Sequence, residues 1–198
     1  VGCDSQSTAT SSGGASNGGK DVELLNVCND PTRELWKEIN QLFTAKYQQE
    51  HGAKLSIKQS HGGSSSQARA VIDGLEADVV ALGLWPDTDQ LRKKGLIAED
   101  WEESLPNHSL PFTSTIVFVV RKGNPKKITD WPDIVKPGVE VITPNPKTSG
   151  NGRLSFLAAW GSVILRGGTA EKAQAFVTEL YRHAPVLDTG ARGSTITF

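Results

Sequence analysis

The feature that most constrains the fold is an alternation of strand-like and helix-like segments that begins near Asp21. An apolar run at 22–27 is followed by Asp30-Pro31-Thr32, in which Asp30 is an N-cap residue and Pro31 takes the first helical position. Apolar residues then recur at helical spacing until Gly52. Two more strand and helix pairs are predicted at 55–57 with 68–75 and at 77–84 with 87–94. This alternation predicts an α/β fold with a largely parallel sheet, in which the apolar run 77–84 is covered on both faces.

The pattern restarts near Leu110, which predicts a second α/β lobe. The segment 113–121 is the most β-rich of the chain, and we expect it to form a strand that crosses between the lobes. Further strands are predicted at 139–142 and 186–187, helices at 154–165 and 170–183, and a last β-type run at 195–198. The predicted organisation is a flexible tether over 1–20, a first lobe over 21–110 and a second lobe over 111–198. We expect the second lobe to be incomplete, because no helix follows its last strand.

The first 20 residues have the composition of a flexible tether. Ten of them are Gly or Ser, and such a sequence cannot build a hydrophobic core. Because the chain contains no Met, we expect a processed or shortened product. Val1-Gly2-Cys3 resembles in part the end of a bacterial lipoprotein signal, which predicts lipidation of Cys3 and anchoring to a membrane; the alternative is a free thiol on a tail. Cys28 is predicted to be a small core residue.

Charge and residue types exclude several classes of function. The chain has 21 Lys and Arg against 22 Asp and Glu, so it has no net field that would hold a nucleic acid or an acidic membrane surface. Its four His and two Cys are scattered without the spacing of metal ligands, so no metal and no other cofactor is predicted. No run of 18 apolar residues occurs, so no segment is predicted to span a bilayer.

Four loops are rich in backbone donors. They are Asp30-Pro31-Thr32, Gly62-Gly63-Ser64-Ser65, Thr148-Ser149-Gly150-Asn151-Gly152 and Gly190-Ala191-Arg192-Gly193. In α/β sheets, the loops that leave the carboxyl ends of the strands and enter helices form the ligand site. Free N–H groups at helix starts, surrounded by small side chains, are suited to an anion. One such loop alone indicates no more than a turn, but four together predict an anion site.

Nucleotide binding and catalysis are both disfavoured. None of the four loops has the GxxxxGK[ST] or GxGxxG spacing that cradles phosphates. A hydrolase would use Ser64 or Ser149, but neither lies in a GxSxG elbow, and His61 has no identifiable carboxylate to orient it. We therefore predict that the protein is not an enzyme, with a serine hydrolase as an alternative.

Five segments together resemble the prokaryotic sulfate-binding protein family, the solute receptors of sulfate and thiosulfate ABC importers. The segments are 25–27 with 30–35, 59–64, 113–118, 145–150 and 188–195. They occur in the family's order and with similar spacing over essentially all of 21–198. The resemblance implies a two-lobed periplasmic-binding-protein fold of type II whose lobes close over a dehydrated sulfate. It also implies a monomeric, periplasmic receptor that serves a membrane permease, and a missing C-terminal part that carries a further cleft Trp.

The resemblance also implies the ligand contacts, residue by residue. Sulfate would accept hydrogen bonds from the backbone N–H groups of Asp30, Ser64, Gly150, Asn151 and Ala191 and from the hydroxyl of Ser149. Asn151 stands where the family usually has a second Gly, a change that keeps the backbone donor. His61 and Arg192 would support the site from behind the ligand contacts.

The choice among oxyanions depends on protons. Sulfate carries no proton at neutral pH and needs donors only, whereas phosphate usually carries one and needs an acceptor. The nearest candidate acceptor is Asp30, and we expect its carboxylate to cap its helix or to pair with Arg192, leaving only its N–H for the ligand. Sulfate or thiosulfate is therefore the predicted ligand, and phosphate, molybdate and tungstate are the alternatives.

Overall fold

The computed structural model describes residues 20–198, and its N-terminal part is built on a three-stranded parallel sheet. The strands are β1 (Val22–Asn29), β2 (Leu55–Gly62) and β3 (Val79–Ala81), in the order β2-β1-β3. β1 pairs with β2 from Val22 opposite Leu55 to Asn29 opposite Gly62, so the two strands end side by side. The predicted tether and Cys3 lie outside the described residues.

Three helices complete this N-terminal unit, which we define as β1–β3 with α1–α3. They are α1 (Arg33–His51), entered through a 3-10 turn at Asp30–Thr32, α2 (Ser64–Ile72) and α3 (Trp85–Lys93). Gly52 ends α1 in the left-handed conformation at φ 64°, the backbone shape for which glycine is favoured at helix ends. The three predicted helices and the first two strands are confirmed, the third strand is limited to Val79–Ala81, and the sheet is parallel as predicted.

The C-terminal unit comprises two parallel strands and three helices. The strands are β4 (Ile142–Pro144) and β5 (Val186–Asp188), and the helices are α4 (Gly150–Leu165), α5 (Ala170–Arg182) and α6 (Ala191–Thr197). A 3-10 turn at Trp131–Val135 precedes β4. Thr169 caps α5 by accepting a hydrogen bond from Lys172 N–H, as its place before the amphipathic run requires.

Each unit has a hydrophobic cluster of its own. In the N-terminal unit the buried residues are Val27, Val71 and Leu91. In the C-terminal unit they are Ile134, Ala159, Val177 and Leu180. Cys28 is fully buried beside the first cluster, which confirms it as a small core residue. The division into lobes at 110/111 stays a prediction.

Three sequence expectations are wrong. The segment 113–121 forms no strand, since no described strand pairs with it, and most of its side chains are exposed. The run 77–84 contributes only the short β3 at the edge of the sheet, where Val79 is 41% exposed instead of covered. The β-type run 195–198 forms the end of α6, because the helix that starts after Gly190 continues to Thr197 and overrides the β propensity of these residues.

Helix α1 forms where its periodicity predicts it, yet its apolar stripe is exposed. Leu35, Ile39, Leu42 and Phe43 are between 39% and 74% accessible. The half-buried positions are instead Trp36, Asn40, Thr44 and Tyr47. None of the helices in residues 20–198 is long and apolar enough to cross a membrane.

Candidate functional site

Four helix starts converge on one cleft at the carboxyl ends of the strands. The 3-10 turn at Asp30 follows β1, α2 follows β2, α4 follows β4 and α6 follows β5. The cleft is part of an open cavity of about 2340 Å³, and residues of all four starts are among those that line it. At Gly150 the backbone approaches so closely that an added Cβ would lie 3.0 Å from Ser64 Cβ. At Gly190 the same position is 3.8 Å from Asp30 Oδ2. The structure therefore brings together the four loops that the sequence singles out.

The predicted backbone donors lie in the first turns of these helices. Ser64, Gly150 and Ala191 are the first residues of α2, α4 and α6, Asn151 is the second residue of α4, and Asp30 opens the 3-10 turn. The first N–H groups of a helix have no partner within the helix. They also lie at the positive end of the helix dipole. Five such groups around one cleft form a donor array that suits an anion.

Ser149 can donate its hydroxyl proton to a ligand while it caps α4. Its Oγ accepts a hydrogen bond of 3.2 Å from Gly152 N–H, and the residue is only 2% exposed. An N-cap hydroxyl uses a lone pair in that bond, so its own O–H is still free to donate to another acceptor. The backbone N–H of Ser149 is used by the carbonyl of Asn145. The side chain is therefore the only donor that Ser149 has left.

Ser64 differs from Ser149, because its hydroxyl is fully engaged. Its Oγ donates to Asp87 Oδ2 at 2.7 Å and accepts from Gly83 N–H at 3.0 Å. Only its backbone N–H is free for a ligand, which is the role that the resemblance implies. Asp87 is 1% exposed and also accepts hydrogen bonds from Ser65 Oγ and from Arg153 Nη1 at 2.9 Å.

The sequence did not reveal the role of Asp87 and Arg153. Arg153 lies one turn into α4, and Asp87 lies in the first turn of α3, so their ion pair joins the two units. The residues are 66 positions apart, and their spacing carries no motif. The one sequence feature that pointed to this ion pair is the position of the charged residue Arg153 directly after a donor loop.

Asp30 pairs with a different cation from the one expected. Its Oδ1 accepts from Arg33 Nη2 at 2.9 Å, and it makes no side-chain cap. Arg192 instead pairs with Glu34 Oε1 at 2.5 Å, a second ion pair between the units. The backbone N–H of Glu34, and then Arg192, hold the pKa of Glu34 below its usual range, so this carboxylate is charged at neutral pH. Arg33 pairs with Asp30 in place of Arg192 because Arg33 is three residues from Asp30 on the same turn.

His61 lies behind the donor loop and does not line the cleft. Its Nδ1 is 3.0 Å from Cys28 Sγ, and its Nε2 is 2.8 Å from Gln59 Oε1. Burial, and then the charge of Arg33, lower the pKa of His61, which favours the neutral ring. Burial raises the pKa of Cys28 to about 11, so its sulfur is a thiol and a donor. The pair fixes the end of β2 next to Gly62.

Two observations on the described residues concern hydrolysis and metal binding. Within residues 20–198, neither Ser64 nor Ser149 has a histidine among its hydrogen-bond partners. The same part of the chain contains no group of three or more His, Cys, Asp or Glu that could hold a metal ion.

The chain is similar to bacterial solute receptors over nearly its whole length. Residues 24–197 match the family model described as bacterial extracellular solute-binding protein. The sulfate-binding protein of Escherichia coli (strain K12) is 55% identical over 180 residues, which are 90% of this chain and 55% of that protein. The thiosulfate-binding protein of Pseudomonas aeruginosa is 53% identical over 176 residues, which are 88% of this chain and 53% of that protein.

The fold is that of a solved receptor as well. The sulfate-binding protein SubI from Mycobacterium tuberculosis H37Rv superimposes with a TM-score of 0.79 at 33% identity. The match covers 89% of this chain and 61% of SubI. The predicted fold class is thereby confirmed. The chain spans about half the length of the curated relatives it matches.

Proposed function

Because the chain belongs to the bacterial extracellular solute-binding proteins, we propose that it binds sulfate or thiosulfate in the cleft and delivers the anion to an ABC importer. The observation that carries the proposal is the convergence of four helix starts whose free groups are donors. Asp30, Ser64, Gly150, Asn151 and Ala191 would each donate a backbone N–H, and Ser149 its hydroxyl. Relatives named for both anions support this ligand class.

The charges around the cleft favour an anion without a proton. Arg33 pairs with Asp30 through Oδ1 and offsets the charge of this carboxylate, which makes Asp30 a weaker acceptor for a protonated phosphate. An unpaired carboxylate facing a dianion would repel it. Fixed peptide dipoles, by contrast, stabilise a dianion without the cost of reorganising solvent, as in an oxyanion hole. Sulfate and thiosulfate meet these conditions better than phosphate does.

Delivery requires a partner in the membrane and a place outside the cytoplasm. We propose that the two units act as lobes that close over the anion, and that the protein works as a monomer in the periplasm. Its partner is the permease of the importer. We also propose that a lipid on Cys3 anchors the protein to the membrane. The mass of the protein extracted from its native membrane tests this, because a lipid on Cys3 adds to that mass. A Cys3→Ala variant that stays in the membrane fraction would contradict the anchor.

Calorimetric titration of the chain tests the ligand. We expect one sulfate per chain, competition by thiosulfate, and no heat with phosphate. Molybdate and tungstate serve as further competitors, because they have the same shape and charge but are larger. A folded chain, checked by circular dichroism, that binds phosphate and ignores sulfate would contradict the proposal.

A further inference from the structure

Gly63 lies where the two units come closest. It precedes α2, and it faces the carbonyl oxygens of Thr148 and Thr189 in the C-terminal unit. An added Cβ would overlap the Thr148 oxygen and lie 2.8 Å from the Thr189 oxygen. Its three nearest atoms would all belong to the opposite unit. Gly63 has φ −61° and ψ 137°, a conformation open to any residue, so its own backbone does not require glycine.

The same helix start serves the ligand and the opposite unit. Ser66 N–H, in the first turn of α2, donates to Thr148 O at 3.4 Å, and Ser66 Oγ lies at the same distance from that oxygen. Thr148 Oγ1 in turn donates to Thr189 O at 3.0 Å. One orphan donor of α2 is thus satisfied by the opposite unit, while Ser64, at the start of the same helix, lines the cleft.

On the premise of the proposed function, we infer that Gly63 sets how far the units close and is a positioning residue for the oxyanion. C···O contacts normally lie near 3.3–3.6 Å, so a methyl group at Gly63 would separate the units by about 1 Å. Asp30 and Ser64 donate from one unit, and Ser149, Gly150, Asn151 and Ala191 from the other. Hydrogen bonds stretched by about 1 Å are lost. If a methyl group at Gly63 holds the units apart, the anion therefore keeps hydrogen bonds to the donors of one unit only.

The experiment compares Gly63→Ala with the unchanged chain in sulfate titrations. We expect sulfate binding to weaken by about 100-fold or more, the penalty of a misplacement of about 1 Å. The melting temperature without sulfate should stay within about 2 °C, because the methyl meets its closest atoms across the cleft. Small-angle scattering should show that sulfate reduces the radius of gyration of the unchanged chain but not of Gly63→Ala.

Two other glycines supply matched variants. Gly161 lies within α4 away from the four loops, and an added Cβ there would meet nothing within 4 Å. Gly161→Ala should therefore bind within about threefold of the unchanged chain. At Gly150 an added Cβ would lie 2.9 Å from Leu84 Cγ of the opposite unit, so Gly150→Ala should repeat the loss seen at Gly63.

The outcomes separate this inference from the proposed function. If the unchanged chain fails to bind sulfate, the proposed function fails and the role of Gly63 falls with it. If the unchanged chain binds and Gly63→Ala binds within threefold, or compacts equally with sulfate, the role of Gly63 is overturned while the function stands. Unfolding of Gly63→Ala without ligand would also overturn it, because it would show a role within one unit.

Discussion

At the scale of single residues, we propose that Ser149 serves both a helix and a ligand with one hydroxyl. Its Oγ caps α4 through Gly152 N–H, and its proton is free for the anion. Ser149→Ala should weaken sulfate binding by about 1.5–3 kcal/mol, the range for a hydrogen bond to a charged group. It should also lower the free energy of unfolding by about 1 kcal/mol, the usual cost of a lost cap. Titration and urea unfolding measure the two effects.

Thr169→Ala is the matched control for Ser149→Ala, because Thr169 caps α5 away from the four loops. Thr169→Ala should lower the free energy of unfolding by the cost of a lost cap and leave the affinity for sulfate unchanged. Ser64→Ala removes a hydroxyl that is held by Asp87 and Gly83, so it should cost stability more than affinity. A Ser149→Ala variant that binds sulfate within tenfold of the unchanged chain would argue against direct contact.

At the scale of elements, α1 shows that periodicity predicts a helix better than it predicts which face is buried. Leu42 is 74% exposed in the middle of the apolar stripe, whereas Leu91 in α3 is fully buried. We expect Leu42→Gln to change the free energy of unfolding by less than about 0.5 kcal/mol, as for exposed positions. Leu91→Ala should lower it by about 2–5 kcal/mol. A large cost at Leu42, measured by urea unfolding, would show that the stripe is covered in solution.

Short-range sequence signals predicted the helices that depend on neighbouring residues. They failed where a structure depends on a partner that is distant in the sequence. The Pro at position 31 and the end at Gly52 both belong to short-range chemistry, and the helix that they bound is present. The β-rich segment 113–121 lacks a described partner strand, and β propensity without pairing gives no strand. The donor loops were found because glycine and serine at helix starts are local too. The ion pairs that surround them depend on the tertiary fold.

At the scale of the whole molecule, two ion pairs join the units. One is buried and the other is exposed, so we expect them to affect ligand binding differently. Asp87 is 1% exposed and holds Arg153 together with the hydroxyls of Ser64 and Ser65. Glu34 and Arg192 have side chains that are 62% and 39% exposed. A buried carboxylate that loses its cation is destabilised, whereas an exposed pair is weak and screened by salt. The cleft should therefore depend on Arg153 far more than on Arg192.

Arg153→Met, which keeps the aliphatic stem but removes the charge, tests this difference. Opening the cleft lets water reach Asp87, so the cost should fall on the closed, ligand-bound state and weaken sulfate binding by about 10- to 100-fold. Arg192→Gln should weaken it by less than about threefold, and that small effect should vanish at high salt. Adding Asp87→Asn to Arg153→Met removes the uncompensated charge and should recover part of the affinity in the same titrations. Equal losses from Arg153→Met and Arg192→Gln would mean that net positive charge near the cleft, and not the buried pair, holds the units around the anion.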